Sequence, residues 1–490
     1  MSNILFFPTH ILWTPHYETE LELIQDHLNE GDNVIQAVCN GELRVCDLNL
    51  KLGTLACVYC ISKRYRGMEL LTGKSKTIPI FNLSKENSKE IDLLKVDFAD
   101  LEELKAYRID NFDVGYAVAS SLISMLRDPC ISMSAYKNLV ASYIISAMRV
   151  YRSVQNYLDK MKIDRLYVFN GRFAYTRAIF RACQSRHTEC VIHERGHGIS
   201  HYELYANSLP HDLENFERRV RESWVKAEGR TDREEIGARF YLDRARGADQ
   251  SWYSFVKNQS KDLLPDTWRA DINNIVIFNS SEDEFASLGD EWKNPFYPDQ
   301  LTALKKIIES LEQEKDQQFH VYLRMHPNNK GMALKELQKW YELESKILSV
   351  IRQDSPIDTY ALVTSANKVL TFGSTVGVEA VFWGKPSVLA GLSPYRNLGV
   401  TYNPSSHGEL VQLLMANLEP MDKLPAIMYG YYWNTYGIPF KYYKAEGFGC
   451  GKFKGIDLDR PGTNRRVMRY LTVLKSLTKI VKNRYFNCLK

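Results

Sequence analysis

The sequence contains no run of the roughly 20 apolar residues that a membrane-spanning helix requires. Its first ten residues also lack a basic start, a long apolar stretch and a small-residue cleavage site, the three features that mark a secretory signal peptide. From these absences we expect a cytoplasmic protein. In that reducing compartment its 9 cysteines should be mostly free thiols.

An excess of charge of one sign is missing as well. The formal net charge of +4 is too small, for 490 residues, to indicate nucleic acid as a partner. We find no internal repeat and no low-complexity tract, and the hydrophobic, charged and aromatic fractions are those of an ordinary globular protein. A chain of this length therefore predicts two or three domains, with enough material for large cores.

Short apolar strands alternate with helical patterns in both halves of the chain. In the first half, residues 165–193 have the pattern of a βαβ unit, which implies a parallel sheet covered by helices. A second alternating series begins at residue 274. We therefore expect two successive α/β domains, at 1–260 and 266–430, followed by a C-terminal extension at 431–490.

Residues 368–390 have the pattern of a strand, a glycine-hydroxyl turn, a short helix and a second strand. The turn, Gly373-Ser374-Thr375, would lie at a helix N-terminus, where free N–H groups and the helix dipole favour an anion. Glu379 follows one helical turn later on the same face. This combination suits a phosphate beside a hydroxyl-rich sugar, as in a nucleotide-sugar. An ordinary N-cap formed by Ser374 or Thr375 is the alternative.

Two more polar segments follow strands of the second domain. Arg324, His326 and Pro327 come directly after one strand, and the histidine suits a hydrogen bond to a phosphate or a ribose. Ser280 and Ser281 follow an earlier strand, where they either face a cleft or belong to the capping box of the next helix. Because ligands of parallel sheets lie beyond the carboxyl ends of the strands, these residues are candidates for a common site.

In the first domain, Asn170 and Arg172 follow one strand and Glu194 follows the next. Glu194 lies in a glycine-containing loop among basic neighbours that favour its ionised form, so it is a candidate general base. Asp113 is the competing carboxylate for that role. A solvated loop with a structural glutamate–arginine pair would explain the same residues.

Four of the cysteines cluster in the sequence, at Cys39, Cys46, Cys57 and Cys60. The last two form a CxxC pair, and four thiolates can close a tetrahedral zinc site. The other spacings differ from a standard zinc finger, and cysteine is also a common small buried residue. The sequence therefore leaves a structural zinc site and plain burial open.

Residues 461–490 contain no acidic residue, and their basic residues accompany apolar positions at helical spacing. A basic amphipathic helix of this kind can lie on an anionic membrane surface. A C-terminal helix packed on the body of the protein, with a solvated basic face, is the alternative.

Five segments of the second domain together resemble bacterial capsular polysaccharide biosynthesis glycosyltransferases of the GT-B fold. They are Asn279–Phe285, Arg324–Pro327, Asp354–Pro356, Gly373–Ala380 and Trp383–Pro386. The His-Pro and Ser-Thr pairs are also similar to those of the capsule β-Kdo transferases and bacterial polysialyltransferases, which use CMP-sugars. The resemblance implies an α/β fold of two Rossmann-like domains facing across a cleft, here followed by a C-terminal helical tail.

By this resemblance, His326, Pro327, Ser374 and Thr375 would bind the donor nucleotide and its phosphate. Glu194 loosely matches the acidic-glycine motif that supplies the base in the polysialyl group. The resemblance implies catalysis without a metal cofactor and two partners: a nucleotide-sugar donor, with a CMP-sugar as one candidate, and a glycan or lipid-linked glycan acceptor of the capsule or lipopolysaccharide. It leaves open whether the anomeric centre is retained or inverted.

Other classes fit parts of the same pattern. A cytidylyl-donor glycerophosphotransferase of the teichoic-acid type is a related transferase. A sugar-nucleotide 2-epimerase shares the His-Pro-Asn segment, but its motif carries an aspartate that residues 372–379 lack. The third alternative is a binding or scaffold protein that kept the fold without catalysis.

Overall fold

The structure is a computed structural model that describes residues 1–51, 53–94, 96–250, 253–314 and 318–460, together with Leu474, Leu477 and Ile480. The chain divides into two compact units. Unit 1 comprises Met1–Pro210 and Gly437–Lys490, and unit 2 comprises His211–Tyr436.

The first segment of unit 1 builds a mostly parallel sheet and seven helices over the described residues. Its elements are β1 (Asn3–Phe6), α1 (His16–Asn29), β2 (Asn33–Val38), α2 (Thr54–Glu69), β3 (Lys76–Pro79), α3 (Lys85–Asp92), α4 (Leu101–Ala106), α5 (Val114–Leu126), α6 (Met133–Lys160), β4 (Arg165–Phe169), α7 (Ala174–Ser185), β5 (Glu189–Arg195) and β6 (His201–Ala206). Five strands are parallel, in the order β3-β2-β1-β4-β5, and β6 pairs antiparallel with β5.

Unit 2 contains an entirely parallel five-stranded sheet. Its elements are α8 (Leu213–Lys226), α9 (Arg233–Ala245), β7 (Asn273–Phe278), α10 (Glu282–Ala286), α11 (Gln300–Glu312), β8 (Phe319–Arg324), α12 (Leu334–Tyr341), β9 (Leu348–Ile351), α13 (Thr359–Ser365), β10 (Lys368–Thr371), α14 (Val376–Phe382), β11 (Ser387–Leu389), α15 (His407–Met415) and α16 (Leu424–Thr435). The strand order is β11-β10-β7-β8-β9.

The chain then returns to unit 1 with three short strands. They are β12 (Ile438–Pro439), β13 (Tyr443–Gly447) and β14 (Cys450–Phe453). β12 pairs antiparallel with β6 and becomes the seventh strand of the sheet of unit 1, while β13 and β14 form a hairpin.

The central strand of unit 2 shows why its sequence is almost continuously apolar. Ile275 and Ile277 pack into one hydrophobic cluster, whereas Val276 and Phe278 pack into another. Successive side chains of a strand point to opposite faces, so β7 is buried on both sides of the sheet. Parallel strands covered by helices on both faces have this composition. The predicted α/β class with parallel sheets in both halves is confirmed.

The division between the units differs from the predicted boundary near residue 260. Residues 211–260, predicted to end the first domain, belong to unit 2 because α9 packs tightly on α16. The two helices meet through glycines: a Cβ on Gly430 would lie 2.3 Å from the carbonyl oxygen of Gly237. Likewise, the predicted extension at 431–490 begins inside α16, and its hairpin completes unit 1.

The basic helix predicted over 461–490 lies outside the described residues, except for Leu474, Leu477 and Ile480. Ile480 is buried in a small apolar cluster with Val58 and Ile61 of α2. The membrane-binding role of this segment stays a prediction. Among the helices that the structure describes, none has the length and apolar character needed to cross a bilayer.

Candidate functional site

A cavity of about 600 Å³ lies within unit 2 beyond the carboxyl ends of its strands. The strand order reverses between β7 and β10, and open parallel sheets bind ligands at such a switch point. The loops after β7, β8 and β10 all line this cavity. They contribute every predicted cleft and donor-binding residue of unit 2, namely Ser280, Ser281, Arg324, His326, Pro327, Gly373, Ser374, Thr375 and Glu379. The structure thus brings these sequence-predicted residues together.

The turn after β10 requires glycine at its first position. Gly373 has a φ of +144°, and a Cβ there would lie 2.7 Å from the carbonyl oxygen of Leu392 and 2.8 Å from Cζ of Phe285. Only glycine adopts such a backbone without strain while allowing this close approach. The glycine therefore sets the path that carries Ser374 and Thr375 into the wall of the cavity.

The alternative of a simple helix cap explains only part of this turn. α14 begins after Thr375, whose side chain makes no capping hydrogen bond. The Thr375 hydroxyl instead accepts a hydrogen bond from Nη2 of Arg244 at 2.9 Å. Ser374 Oγ accepts from the backbone N–H of Val376 at 3.3 Å, a long bond for a cap.

At the carboxyl ends of β7 and β8, three buried polar groups of the cavity wall have no hydrogen-bond partner among the described residues. They are Nδ2 of Asn279, Oγ of Ser280 and Nε of Arg324. All three side chains are more than nine-tenths buried. Buried polar groups in proteins are normally satisfied, so this concentration of unpaired donors around one cavity indicates a site for a ligand rich in acceptor oxygens.

Arg324 carries its charge into this wall without a carboxylate partner at bonding distance. Its Nη1 and Nη2 donate to the carbonyl oxygens of Arg352 and Ser355, at 2.6 and 3.0 Å. Burial lowers the pKa of Arg324 to about 10. The guanidinium is still protonated at neutral pH, so the cavity holds a cation whose charge is available to an anion.

The hydrogen bonds of His326 determine its tautomer. Nδ1 accepts from the backbone N–H of Asn328 at 3.2 Å, and the backbone N–H of His326 donates to Oδ1 of Asn279 at 2.6 Å. Burial lowers the pKa of His326 to about 4. At neutral pH the ring is therefore uncharged and carries its proton on Nε2, which makes it a hydrogen-bond donor for a phosphate or a hydroxyl oxygen.

Glu379 is fully engaged by two residues that the sequence analysis did not single out. Its Oε1 accepts from Nε of Arg244 at 3.0 Å, and its Oε2 accepts from the Tyr360 hydroxyl at 2.6 Å. The carboxylate is only 1% exposed. Although burial alone would lower it, the adjacent Glu379 carboxylate raises the pKa of Arg244. A sugar hydroxyl bound to Glu379 would have to share a carboxylate oxygen with Arg244 or Tyr360.

Aromatic side chains form the other part of the cavity lining. Phe240, Phe255, Phe285 and Tyr429 all line it, and the ring of Phe255 lies edge-on to His326 with 5.3 Å between the ring centroids. Flat apolar rings beside hydrogen-bond donors suit a ligand with a planar base and a polar end.

The capping box predicted after β7 is not formed. Ser281 is the N-cap residue of α10, but its hydroxyl donates to Oδ1 of Asp283 at 2.6 Å. Glu284, which would complete the box, accepts from Nδ2 of Asn328 at 3.0 Å. The bond between Glu284 and Asn328 connects α10 to the segment after β8 at the rim of the cavity.

In unit 1, Asn170 and Glu194 come together at the carboxyl ends of β4 and β5. Nδ2 of Asn170 donates to Oε2 of Glu194 at 2.7 Å, and the backbone N–H of Arg195 donates to Oε1 at 2.9 Å. Nδ1 of His16 lies 3.8 Å from the same Oε1. With 23% of its side chain exposed, Glu194 is both oriented and accessible.

The structure gives Asp113 a structural role and separates it from Glu194. The carboxylate accepts hydrogen bonds from Arg177 and Arg181 at 2.6 to 3.0 Å, and only 2% of its side chain is exposed. Burial alone would raise the pKa of Asp113, but these two arginines hold it well below its usual range. A carboxylate so tightly bound is a poor proton acceptor, which corrects its prediction as the competing base.

Arg172 is directed away from Glu194. Its Nη1 donates to the hydroxyls of Ser120 and Ser124 on α5, and its guanidinium lies over the ring of Phe173. These contacts explain the arginine as part of the packing between α5 and the loop after β4.

The four clustered cysteines surround one small, mostly apolar cavity of about 40 Å³ in unit 1. Within the described part of the chain, the one group of three potential metal ligands with donor atoms within 4.8 Å of one another is His27, Glu30 and Asp32. The sulfurs of Cys39, Cys46, Cys57 and Cys60 are therefore not arranged as closely as a closed zinc site requires. Burial raises the pKa of Cys39 to about 11 and that of Cys60 to about 12, so both are neutral thiols.

Sequence reasoning missed Arg244, Tyr360 and Phe255 in unit 2 and His16 in unit 1. The first two lie in helical stretches, one among many other charged residues and one in a short helix, and nothing local marks either as a cavity residue. The only available signal was general: buried aromatic and arginine side chains are frequent in binding sites.

One stretch of the chain that contributes to the cavity matches a known protein family. Residues 293–417 match the family model described as "Capsule polysaccharide biosynthesis protein". The matched range includes the loops after β8 and β10. The predicted resemblance to capsule polysaccharide biosynthesis proteins is confirmed over this region.

One curated relative and two solved structures are similar to parts of this chain. The chain is 29% identical over 140 residues to the capsule polysaccharide export protein KpsS of Escherichia coli. That stretch is 28% of this chain and 34% of the relative, so the match spans about a third of the relative's length. The β-Kdo 2,7 transferase KpsC of Thermosulfurimonas dismutans shares 16% identity, with a TM-score of 0.33 over 57% of this chain and 80% of that one. A UDP-GlcNAc 2-epimerase from Neisseria meningitidis, bound to UDP-GlcNAc, shares 12% identity, with a TM-score of 0.24 over 87% and 97% of the chains. At such TM-scores the two structures carry no weight for function.

Proposed function

We propose that this protein is a glycosyltransferase of surface-polysaccharide synthesis that transfers a sugar from a nucleotide-sugar donor to a capsule or lipopolysaccharide acceptor. The observation that carries this proposal is the convergence of three strand-end loops on one cavity of unit 2. Two of those loops lie in the stretch that matches the capsule polysaccharide family. The GT-B arrangement and the CMP-sugar donor belong to the same proposal.

The donor half of the reaction follows from the chemistry of the cavity wall. When the bond between the anomeric carbon and the donor phosphate breaks, the leaving phosphate oxygen gains negative charge. Arg324 supplies a buried positive charge, and Nε2 of His326 and Oγ of Ser280 supply hydrogen-bond donors. Fixed donors in a site shielded from water stabilise developing charge more effectively than water does.

The acceptor half requires a base. The acceptor hydroxyl oxygen forms the new bond to the anomeric carbon, and its proton must pass to a carboxylate. Glu194 is the candidate, since Asn170 and the Arg195 N–H fix its orientation while part of its side chain stays exposed. Asp113 is no longer a competitor for this role.

Thermal unfolding with a panel of nucleotides tests the proposal directly. Ligands that bind only the folded state raise the melting temperature, by an amount that corresponds to about 2.7 kcal/mol at one hundred times Kd. We expect a shift with at least one of CMP, CDP, UDP and GDP. A shift with CMP or CDP alone would support the cytidylyl donors, and a shift with UDP alone would remove the CMP-sugar donor.

Two variants and one control connect the shift to the cavity. His326→Ala and Ser374→Ala should reduce it. His320→Ala is the matched control, because His320 lies at the opposite end of β8, where its Nε2 lies 2.9 Å from the Ser349 hydroxyl. The proposal fails if no nucleotide shifts the wild-type protein, or if the cavity variants respond as fully as His320→Ala.

A further inference from the structure

We infer that Arg244 is the residue that distinguishes a phosphorylated nucleotide from its nucleoside in the cavity of unit 2, and that Glu379 and Tyr360 hold it in place for this purpose. The inference rests on the proposed function in one respect, since it takes the ligand of the cavity to be a nucleotide. It assigns a phosphate-binding role to a helix, α9, outside the stretch that matches the capsule family.

The contacts of Arg244 hold its guanidinium at the glycine-serine-threonine turn. Nε donates to Glu379 at 3.0 Å and Nη2 donates to the Thr375 hydroxyl at 2.9 Å. The arginine lines the cavity, and 33% of its side chain is exposed, against 1% for Glu379. Both residues line the cavity, and the arginine side chain is the member of the pair that a ligand can reach more readily.

Further contacts of Glu379 and Arg244 hold the guanidinium in this position. Tyr360 donates its hydroxyl to the other oxygen of Glu379 at 2.6 Å, so both carboxylate oxygens are occupied. α9 also contributes Phe240, whose ring centroid lies 5.3 Å from the guanidinium carbon of Arg244. An arginine held in this way loses little further conformational entropy on binding, and its planar fork matches the oxygens of a phosphate.

This geometry changes the role expected for Glu379. A carboxylate that bound ribose hydroxyls would need an accessible oxygen, whereas both oxygens of Glu379 accept bonds from protein and the residue is buried. Glu379 is therefore a positioning residue that acts through Arg244. With Arg324 at the end of β8, the cavity presents two cations from different elements, which suits a phosphate-bearing ligand.

The test compares the dissociation constants of CMP and cytidine, and of UMP and uridine, by titration calorimetry. Arg244→Gln should weaken binding of the bound monophosphate about 10- to 100-fold, the usual loss for a hydrogen bond to a charged group. Binding of the nucleoside should change less than about threefold. Arg246→Gln is the matched control, since Arg246 is 76% exposed and lies 3.9 Å from Asp243 of its own helix.

A second pair of variants guards against a simple loss of folding. Removing Arg244 leaves Glu379 buried without its cation, which is destabilising. Arg244→Lys keeps the charge and should lose less monophosphate affinity than Arg244→Gln. Glu379→Gln should also reduce the preference for monophosphate over nucleoside, and combining it with Arg244→Gln should add little, because both act on one interaction.

The outcomes separate this inference from the proposed function. If neither these monophosphates nor GMP binds the wild-type protein, the nucleotide site itself is refuted. If a monophosphate binds and Arg244→Gln keeps the wild-type preference over the nucleoside, the role of Arg244 is refuted and the nucleotide site stands. Additive losses in the double variant would refute the positioning role of Glu379.

Discussion

Unit 1 and unit 2 place five parallel strands in equivalent orders, β3-β2-β1-β4-β5 and β9-β8-β7-β10-β11. Each sheet therefore has a switch point, between β1 and β4 in one and between β7 and β10 in the other. Polar residues follow the strands at both points. What differs is how these residues are paired.

In unit 2 the polar groups at the switch point include cations and hydrogen-bond donors without partners among the described residues, as at Arg324 and Ser280. In unit 1 the corresponding groups are mostly acids and histidines that face one another. The pairs are His10–Asp47, His16–Glu194 and His193–Glu20, with 3.2, 3.8 and 3.3 Å between the nearest atoms. One edge therefore presents hydrogen-bond donors that suit an anion, and the other presents pairs of histidines and carboxylates.

Asp113→Asn gives the largest effect expected from this comparison, because it removes the charge that neutralises Arg177 inside unit 1. Breaking one partner of a buried ion pair costs about 3–5 kcal/mol. We expect the free energy of unfolding, measured in urea, to fall by that amount. Asp159→Asn is the control: its pair with Arg186, at 2.6 Å, is on the surface and should contribute at most about 1 kcal/mol. An Asp113→Asn protein with wild-type stability and no activity would restore Asp113 as a base.

Glu194→Gln tests the edge of unit 1 where histidines pair with carboxylates. If Glu194 is the base, turnover should fall at least about 100-fold, which corresponds to about 2.7 kcal/mol of barrier. Nucleotide affinity should be unchanged, because the proposed nucleotide site lies in unit 2. Glu189→Gln, at the opposite end of β5 and paired with Arg165 at 2.6 Å, should keep its activity. Equal rates for the two variants would move the base elsewhere.

The comparison also shows what the sequence can reveal. Residues directly after a strand, such as Ser280, His326 and Ser374, were predictable as a group because the carboxyl ends of parallel strands meet at one edge. The helix residues of the cavity could not be predicted in this way. Arg244 reaches the cavity only because α9 packs on α16, and that contact depends on two glycines, Gly237 and Gly430, far apart in sequence.

Asp113 in unit 1 shows the same limit of sequence reasoning, because there the sequence predicted a functional residue where the structure has an ion pair. A carboxylate before a helix in a glycine-containing segment has the local features of a functional residue. Its true partners, Arg177 and Arg181, are one turn apart on α7, and tertiary packing alone brings them to the start of α5. Local sequence therefore predicted the polar residues at strand ends well, and it could not distinguish a structural ion pair from a catalytic acid.

Gly373→Ala tests whether ligand binding in the cavity of unit 2 depends on the backbone geometry of the turn after β10. A Cβ at a φ of +144° is strained, and it would also meet Leu392 and Phe285 within 3 Å. We expect the free energy of unfolding to fall by about 1–3 kcal/mol and the nucleotide-induced thermal shift to shrink. Gly384→Ala is the matched control. Its φ is +73°, but a Cβ there meets nothing within 4 Å, so it should lose stability while keeping the full shift.

His326 makes the stability of unit 2 depend on pH. Its folded pKa is about 4, against an ordinary value of 6.5, because burial and Arg324 outweigh the opposing carboxylate of Asp283. Between these two values the unfolded chain binds more protons, so stability should fall as the pH drops from 6.5 towards 4. At pH 5 this contribution is about 2 kcal/mol by linkage. In His326→Gln the loss of stability between pH 7 and pH 5 should therefore be smaller by about 1–2 kcal/mol. An unchanged slope would mean that the folded pKa of His326 is not lowered, and the histidine would then become a cation beside Arg324 below about pH 6.5 instead of staying a neutral donor.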